Sequence, residues 1–293
     1  MLASLYRKLL PLQIRQSIYD YFLGHVVFFF RNIGIITKSK LAWLFGFLMP
    51  KSEENLALAF MGKHGLTSYP YPYALEYQNS VAVEKDARNL PYVTHNGKRL
   101  YFPEFYSIEK VQKDYTALLI EQDERAAHRY VRAYEELKGR TLIDVGAAEA
   151  SFALDTIELT KHVFIFECME HWQKPLQATF EPWKDKVTIV KQYVGDKTSG
   201  AFVTIDDFLA QQSRDNLFIK MDIEGAERMA LAGAQKTLQS GKNIQLSVTT
   251  YHRPGDPEYI KNLLEGYGFK TEFSDGLMYW NKRFSKGIIR AKN

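Results

Sequence analysis

The chain has 293 residues, enough for one large domain or a domain with a sizeable extension. Its 46% apolar and 25% charged residues fall in the globular range and exclude wholesale disorder. The single cysteine, Cys168, excludes an intramolecular disulfide and a cysteine-rich zinc site and fits a reducing cytoplasm. The net charge of +4 is unevenly placed: residues 1–50 hold six cations against one acid, Asp20.

Residues 1–66 read as a helical, aromatic-rich region. Its longest uncharged runs, 21–30 and 41–50, are half the ~20 residues that a spanning helix needs. Pro11 and Arg15 interrupt the early apolar run and argue against a cleavable signal. Leu2, Leu5, Leu9 and Leu12 fall near one helical stripe, and Ile14, Ile18 and Phe22 form another, with Arg7, Lys8 and Arg15 projecting away. Two readings stand. In one, residues 1–50 lie on the anionic inner face of a membrane, making a cytoplasmic protein peripheral. In the other, these helices pack on the rest of the chain or on a second subunit, as in a homodimer.

Residues 67–138 read as an accessory segment. The aromatic, proline-punctuated run 68–78 is expected to be extended. Short strands follow at 81–84, 92–95 and 99–102, and Asn96-Gly97 between the last two predicts a type I′ hairpin. A helix is expected from Ser107, a good N-cap. Within 121–130, helical spacing would put Glu121, Arg125 and Arg129 on one face as an ion-pair ladder. The alternative brings Arg125, His128 or Arg129 to the mouth of a site.

The character changes in residues 139–293. An apolar strand at 141–145 carries Asp144 near its end and runs into Gly146-Ala147-Ala148-Glu149-Ala150 and a helix. Small residues at a strand-to-helix turn let the backbone approach a nucleotide-type ligand, and the free N–H groups of the helix start favour an anion. A second strand, 162–166, ends in Glu167, 23 residues beyond Asp144, close to the ~20 expected for a ribose-binding carboxylate. Cys168 then forms a passive pocket wall. A third strand, 187–194, leads to Gly195-Asp196, where Asp196 is either an adenine acceptor or a turn former. A nicotinamide dinucleotide would need Gly-x-Gly-x-x-Gly, and here Ala148 and Glu149 stand in the crowded places. An adenosyl amino acid fits better, its carboxylate on the helix start and its ammonium on Asp144.

A fourth strand, 217–221, ends in Asp222-Ile223-Glu224-Gly225-Ala226-Glu227, and a fifth, 244–250, in Tyr251-His252. A helix at 257–266 and closing segments at 269–273 and 277–280 complete the pattern. The carboxyl ends of these strands would gather Asp144, Glu167, Asp222 and His252. Asp222 and Glu224 are hard oxygen ligands without a clear third partner, so no metal is expected. Lys220 points away from its strand neighbours, toward either an acid or a catalytic task. Glu227, in a first helical turn, would complement the helix dipole.

Over residues 140–282 the sequence resembles the FkbM family of methyltransferases. The resemblance is carried by Ile143-Asp144-Val145-Gly146-Ala147, by residues 164–167, by Val203-Thr204-Ile205-Asp206-Asp207-Phe208 and above all by Ile219-Lys220-Met221-Asp222-Ile223-Glu224-Gly225-Ala226-Glu227. It implies an α/β fold: a seven-stranded Rossmann-like class I methyltransferase sheet with helices on both faces, preceded here by the helical region and a β-meander. It also implies S-adenosyl-L-methionine as cofactor, held by Asp144, Gly146, Ala147, Glu149, Glu167, Cys168, Asp196 and Asp222. The implied reaction is O-methylation of a sugar, glycan, glycolipid or related small molecule. The same acceptors point to His252 as general base, His128 as its alternate, and Asp222 and Glu224 as acceptor-positioning groups. A non-catalytic cofactor-binding protein or scaffold of a glycan-biosynthesis assembly is an alternative, and an RNA methyltransferase a more distant one. Nucleic acid is not expected as a partner, because the cations cluster with apolar bulk at the N-terminus and no base-handling motif occurs. Family members often have glycine where this chain has Ala150, a methyl group expected to crowd the loop only modestly, since alanine suits a helix start.

Overall fold

The computed structural model describes residues 24–293, which divide into two compact units with the boundary between Pro70 and Tyr71. The stripes expected over residues 2–22 lie outside the described residues.

In the first unit, helices α1 (Gly24–Phe45) and α2 (Glu53–His64) pack against each other. Ser52 caps α2 by accepting the N–H of Asn55 at 3.2 Å, and Glu53 and Glu54 complement the positive end of the dipole. The helices touch where Gly62 meets Ser39: a Cβ on Gly62 would sit 2.1 Å from the Ser39 carbonyl oxygen, so only glycine permits the approach. Around the turn between the helices, Trp43, Leu44, Phe47 and Leu48 remain exposed, as do Phe28 and Phe30 farther along α1. No single helix among the described residues is long and apolar enough to cross a membrane, although 26–48 and 53–64, bent by 119°, pass together by length and composition.

The second unit opens with an antiparallel sheet of β1 (Val83–Lys85), β2 (Pro91–His95) and β3 (Lys98–Tyr101). Asn96 and Gly97 both have positive φ, 50° and 78°, as the type I′ turn requires. Within the run expected to be extended, Pro72–Glu76 instead winds one 3₁₀ turn, which a proline in the first turn tolerates. Helix α3 (Ile108–Glu121) begins as expected, with Ser107 Oγ accepting the N–H of Lys110.

The expected ion-pair ladder beyond α3 does not form. Asp123 Oδ1 accepts the N–H of Arg125 at 2.8 Å, a local side-chain turn that competes with helix continuation. Arg125 then forks onto Asp123 and Glu76, while Arg129 donates to the carbonyls of Gln122 and Val131.

The main sheet has seven strands in the order β11-β14-β10-β9-β4-β5-β6. They are β4 (Thr141–Val145), β5 (His162–Phe166), β6 (Val187–Val190), β9 (Leu217–Met221), β10 (Gln245–Thr249), β11 (Lys270–Phe273) and β14 (Ile288–Lys292). All neighbours are parallel except β14, which runs antiparallel to both β10 and β11. The chain moves outward from β4 to β6 and returns on the other side of β4 as β9, creating a switch point between β4 and β9.

Alternate residues of the strands feed two cores. Leu142, Val163, Ile165 and Phe218 join one cluster with residues of α3, α4 (Ser151–Thr156) and α5 (Glu170–Phe180). Ile143, Val145, Phe166, Ile219 and Met221 join the other, with α6 (Ile205–Phe208), α7 (Glu227–Ala232), α8 (Gln235–Ser240) and α9 (Asp256–Gly266). Both faces are therefore covered, which is why the strands read as apolar runs.

Two sequence expectations are corrected. The strand expected over 187–194 divides after Val190: Tyr193–Val194 forms β7, paired with β8 (Phe202–Val203) outside the main sheet. Of the two closing segments, only β11 enters the main sheet, where it pairs with β14; 277–280 does not. Met278–Trp280 (β12) turns through Asn281 and Lys282, both at positive φ, into β13 (Arg283–Ser285) as a separate hairpin.

Candidate active site

The carboxyl ends of β4, β5, β9 and β10 carry the chemistry. Gly146 leaves β4 at φ +77°, and a Cβ there would stand 2.0 Å from the Asp222 carbonyl oxygen. Glycine alone lets the loop after β4 cross the end of β9. Ala148 and Ala150 also adopt left-handed conformations, φ 48° and 59°. The modest-crowding expectation for Ala150 is thus revised: the position is αL, where an L side chain costs roughly 1–2 kcal/mol.

Asp144 is buried and does not face an open crevice. It stands opposite Lys220 in the β4–β9 register, and Lys220 Nζ lies 3.0 Å from its Oδ1. Lys220 also donates to the Gly146 carbonyl at 2.6 Å. Burial disfavours the ammonium, but Asp144 and Asp222 outweigh it and hold Lys220 above its ordinary range. Through Lys220, Asp144 is tied to the Gly146 loop.

Glu167, just beyond β5, is fixed at both oxygens. Oε2 accepts the N–H of Ala148 at 2.9 Å and Oε1 that of Met169 at 2.7 Å. Each oxygen keeps a lone pair, so the carboxylate can still accept two ribose hydroxyls. With Gly146 and Ala147 beside it, this cradle fits an adenosyl amino acid. Glu149 is pushed up to about 7, by burial first and by Glu121 second, and accepts from Ser151 Oγ. Cys168 is half-buried next to Glu167, and Asp196 is exposed on the turn after β7.

Asp222 and His252 come together, with His128 joining from the connector after α3. Tyr130 donates its hydroxyl to Asp222 Oδ2 at 2.8 Å, His128 Nε2 lies 3.4 Å from the same oxygen, and His252 Nε2 lies 3.7 Å from Oδ1. Burial opposes ionisation of Asp222, yet His128, followed by Lys220 and His252, holds its carboxyl well below the usual range. His128 also meets the Tyr251 hydroxyl at 3.1 Å. Glu224 is exposed at the rim, 3.6 Å from His252 Nε2.

Sequence reasoning missed the task of Glu227. The residue is fully buried, and its Oε1 lies 2.8 Å from His252 Nδ1 while accepting from Thr249 Oγ1 and from the N–H groups of Ile223 and Gly225. Its position next to a helix start suggested only a dipole partner; the link to His252 spans 25 residues and needs the fold. Asp222, Glu227 and His252 each bring one ligand atom within 4.8 Å of the others, which supplies the third partner that the sequence lacked.

Residues 197–271 match the family described as the methyltransferase FkbM domain, a span from the β7–β8 turn to the first half of β11 that includes Asp222, Glu227 and His252. Over that span the chain is similar to the FkbM methyltransferase family. Among solved structures, it is similar to the methyltransferase FkbM from Methylobacillus flagellatus KT, at 20% identity and TM-score 0.43, over 64% of this chain and 53% of that one. The chain thus spans about half of that relative's length. It is also similar to magnesium protoporphyrin IX methyltransferase from Synechocystis PCC 6803, solved with bound SAM (17% identity, TM-score 0.39, 62% of this chain and 83% of that one). A third similarity is to precorrin-6y C5,15-methyltransferase from Geobacter metallireducens GS-15 (14% identity, TM-score 0.36, 55% and 84%). No curated protein matches the chain. The FkbM match ends before β14, the antiparallel strand that lies between β10 and β11.

Proposed function

We propose that the chain is an S-adenosylmethionine-dependent O-methyltransferase acting on a hydroxyl of a neutral sugar, glycan or related small molecule. The observation that carries this reading is Glu167, its two oxygens held by the N–H groups of Ala148 and Met169 beside the Cβ-free bend at Gly146. When bound, S-adenosylmethionine supplies an electrophilic methyl group. Glu167 would accept the ribose hydroxyls, the loop from Gly146 to Glu149 would meet the amino-acid end, and the Asp144–Lys220 pair would keep that loop in place. A carboxyl at Glu149 that is protonated near neutrality would donate to the amino-acid carboxylate rather than repel it.

The acceptor would enter beside Asp222, His252 and Glu224. Asp222, Glu224 and Glu227, three carboxylates, would repel phosphodiesters and carboxylate acceptors and accept hydrogen bonds from a polyol. Alignment of the acceptor oxygen supplies much of the rate in such a transfer. Mass spectrometry of glycans and lipid-linked intermediates from cells with and without the protein tests the reading. A methyl-sized shift in one hydroxyl-bearing species is expected; cofactor binding without any methylated product would leave the scaffold alternative.

We also propose that the first unit attaches the enzyme to an anionic membrane surface. Its support is the exposed apolar turn at Trp43, Leu44, Phe47 and Leu48, flanked in sequence by Lys40 and Lys51, while Lys38 is paired with Glu54.

A further inference from the structure

We infer that Asp222, Glu227 and His252 form a divalent-cation site, with Glu224 at its rim. The site's use in the reaction rests on the methyltransferase reading above; its affinity for a cation does not.

The distances separate a cation site from a hydrogen-bonded cluster. His252 Nε2 stands 3.7 Å from Asp222 Oδ1 and 3.6 Å from Glu224 Oε2. Both separations are too long for hydrogen bonds, which end near ~3.2 Å. Two donors that share one cation at bonds of about 2.1 Å, opened to about 110–120°, stand about 3.4–3.6 Å apart.

Unsatisfied atoms point the same way. His252 Nε2 and Glu227 Oε2 are both buried without a hydrogen-bond partner, in side chains 3% and 0% exposed. Glu227 is lopsided: four donors crowd Oε1 and none reaches Oε2. A buried carboxylate oxygen left without a donor is costly, and a bound ion removes that cost.

The ring of His252 is also set up as a ligand. With its Nδ1–H donated to Glu227 Oε1, the tautomer leaves the Nε2 lone pair free, the carboxylate–histidine–metal arrangement that fixes ligand orientation. Lys220, the nearby buried cation, is hydrogen-bonded to Asp144 and the Gly146 carbonyl; it acts on Asp222 through its charge and offers no hydrogen bond to Glu227 Oε2 or His252 Nε2. Two or three carboxylate oxygens and one imidazole suit Mn²⁺, Mg²⁺ or Zn²⁺. A neutral acceptor hydroxyl would complete the shell and be polarised there. His252 would then be a ligand, and the base role read from the sequence would leave it.

The test uses the full-length protein, freed of metal with a chelator, and Mn²⁺ as probe, with no cofactor or acceptor present. Electron paramagnetic resonance of free Mn²⁺ should reveal one site per chain. Asp222→Asn and Glu227→Gln should each weaken it at least tenfold, Glu224→Gln on the exposed rim should weaken it less, and Glu272→Gln, away from the cluster, should leave it unchanged. Mn²⁺ should also raise the Tm of the wild type and not of Glu227→Gln. Absence of binding up to about 1 mM, the weak end for protein cation sites, overturns the inference, as does binding that survives Asp222→Asn and Glu227→Gln. Glu224→Gln keeps the test decisive if the buried variants do not fold. Calorimetry with S-adenosylhomocysteine on the same samples separates the two readings, since a protein that binds it but not Mn²⁺ loses only the cation site.

Discussion

Lys220 Nζ lies 3.0 Å from Asp144 Oδ1, in the same register row of β4 and β9, with both side chains sealed from solvent. Removing one partner strands the other charge in the core. Lys220→Met should therefore cost about 3–5 kcal/mol in urea denaturation. A loss below about 1 kcal/mol would mean that the pair does not organise the loop.

Gly146→Ala places a methyl group against the Asp222 carbonyl, 2.0 Å away, and against Ile223. The strands cannot separate without loss of the sheet, so we expect at least about 3 kcal/mol of destabilisation or failure to fold. Ala150→Gly should do the opposite. It releases a left-handed alanine and should leave stability unchanged or raise it by about 1 kcal/mol, whereas glycine in an ordinary helix position costs about that much. A clear loss at Ala150→Gly would show that the methyl group packs favourably.

Glu149 gives a pH signature. Its pKa, raised to about 7, follows from burial and then Glu121; Lys220 opposes the shift, and Tyr106 also senses the charge. A carboxyl raised in the folded state contributes stability that is fully present below its ordinary value near 4.5 and lost as pH rises through about 7. Denaturation curves should show up to ~3 kcal/mol of loss between pH 5 and 8, and Glu149→Gln should flatten that loss. An equal slope in the variant would assign it elsewhere.

The strands and their acids were legible because a parallel sheet buried on both faces leaves short apolar runs, and Asp144, Glu167 and Asp222 punctuate their ends. The hairpin at Asn96-Gly97 and the cap at Ser107 were legible from local chemistry. Three things were not. The helix beyond Glu121 failed because Asp123 turns on the N–H of Arg125, a local contest that helical spacing does not register. The final strand was misplaced because Asn281 and Lys282 close a separate hairpin before β14 enters the sheet. Glu227 was undervalued because its partners, Thr249 and His252, come from a different strand end.

The first unit should bind vesicles. Cosedimentation with vesicles rich in phosphatidylserine is expected to retain the protein, with weaker retention on neutral lipid and a sharp loss for Phe47→Asp, Leu48→Asp. Equal recovery in the supernatant, with a dimer by analytical ultracentrifugation that the double variant dissolves, would assign the apolar turn to a second copy.

Calorimetry with S-adenosylhomocysteine tests the crevice most directly. The wild type should bind one molecule per chain, and Glu167→Ala should bind about 100-fold more weakly, the equivalent of two lost charge-assisted hydrogen bonds. Equal affinity in that variant, or silence toward this ligand from a protein that binds a nicotinamide dinucleotide, would contradict the assignment.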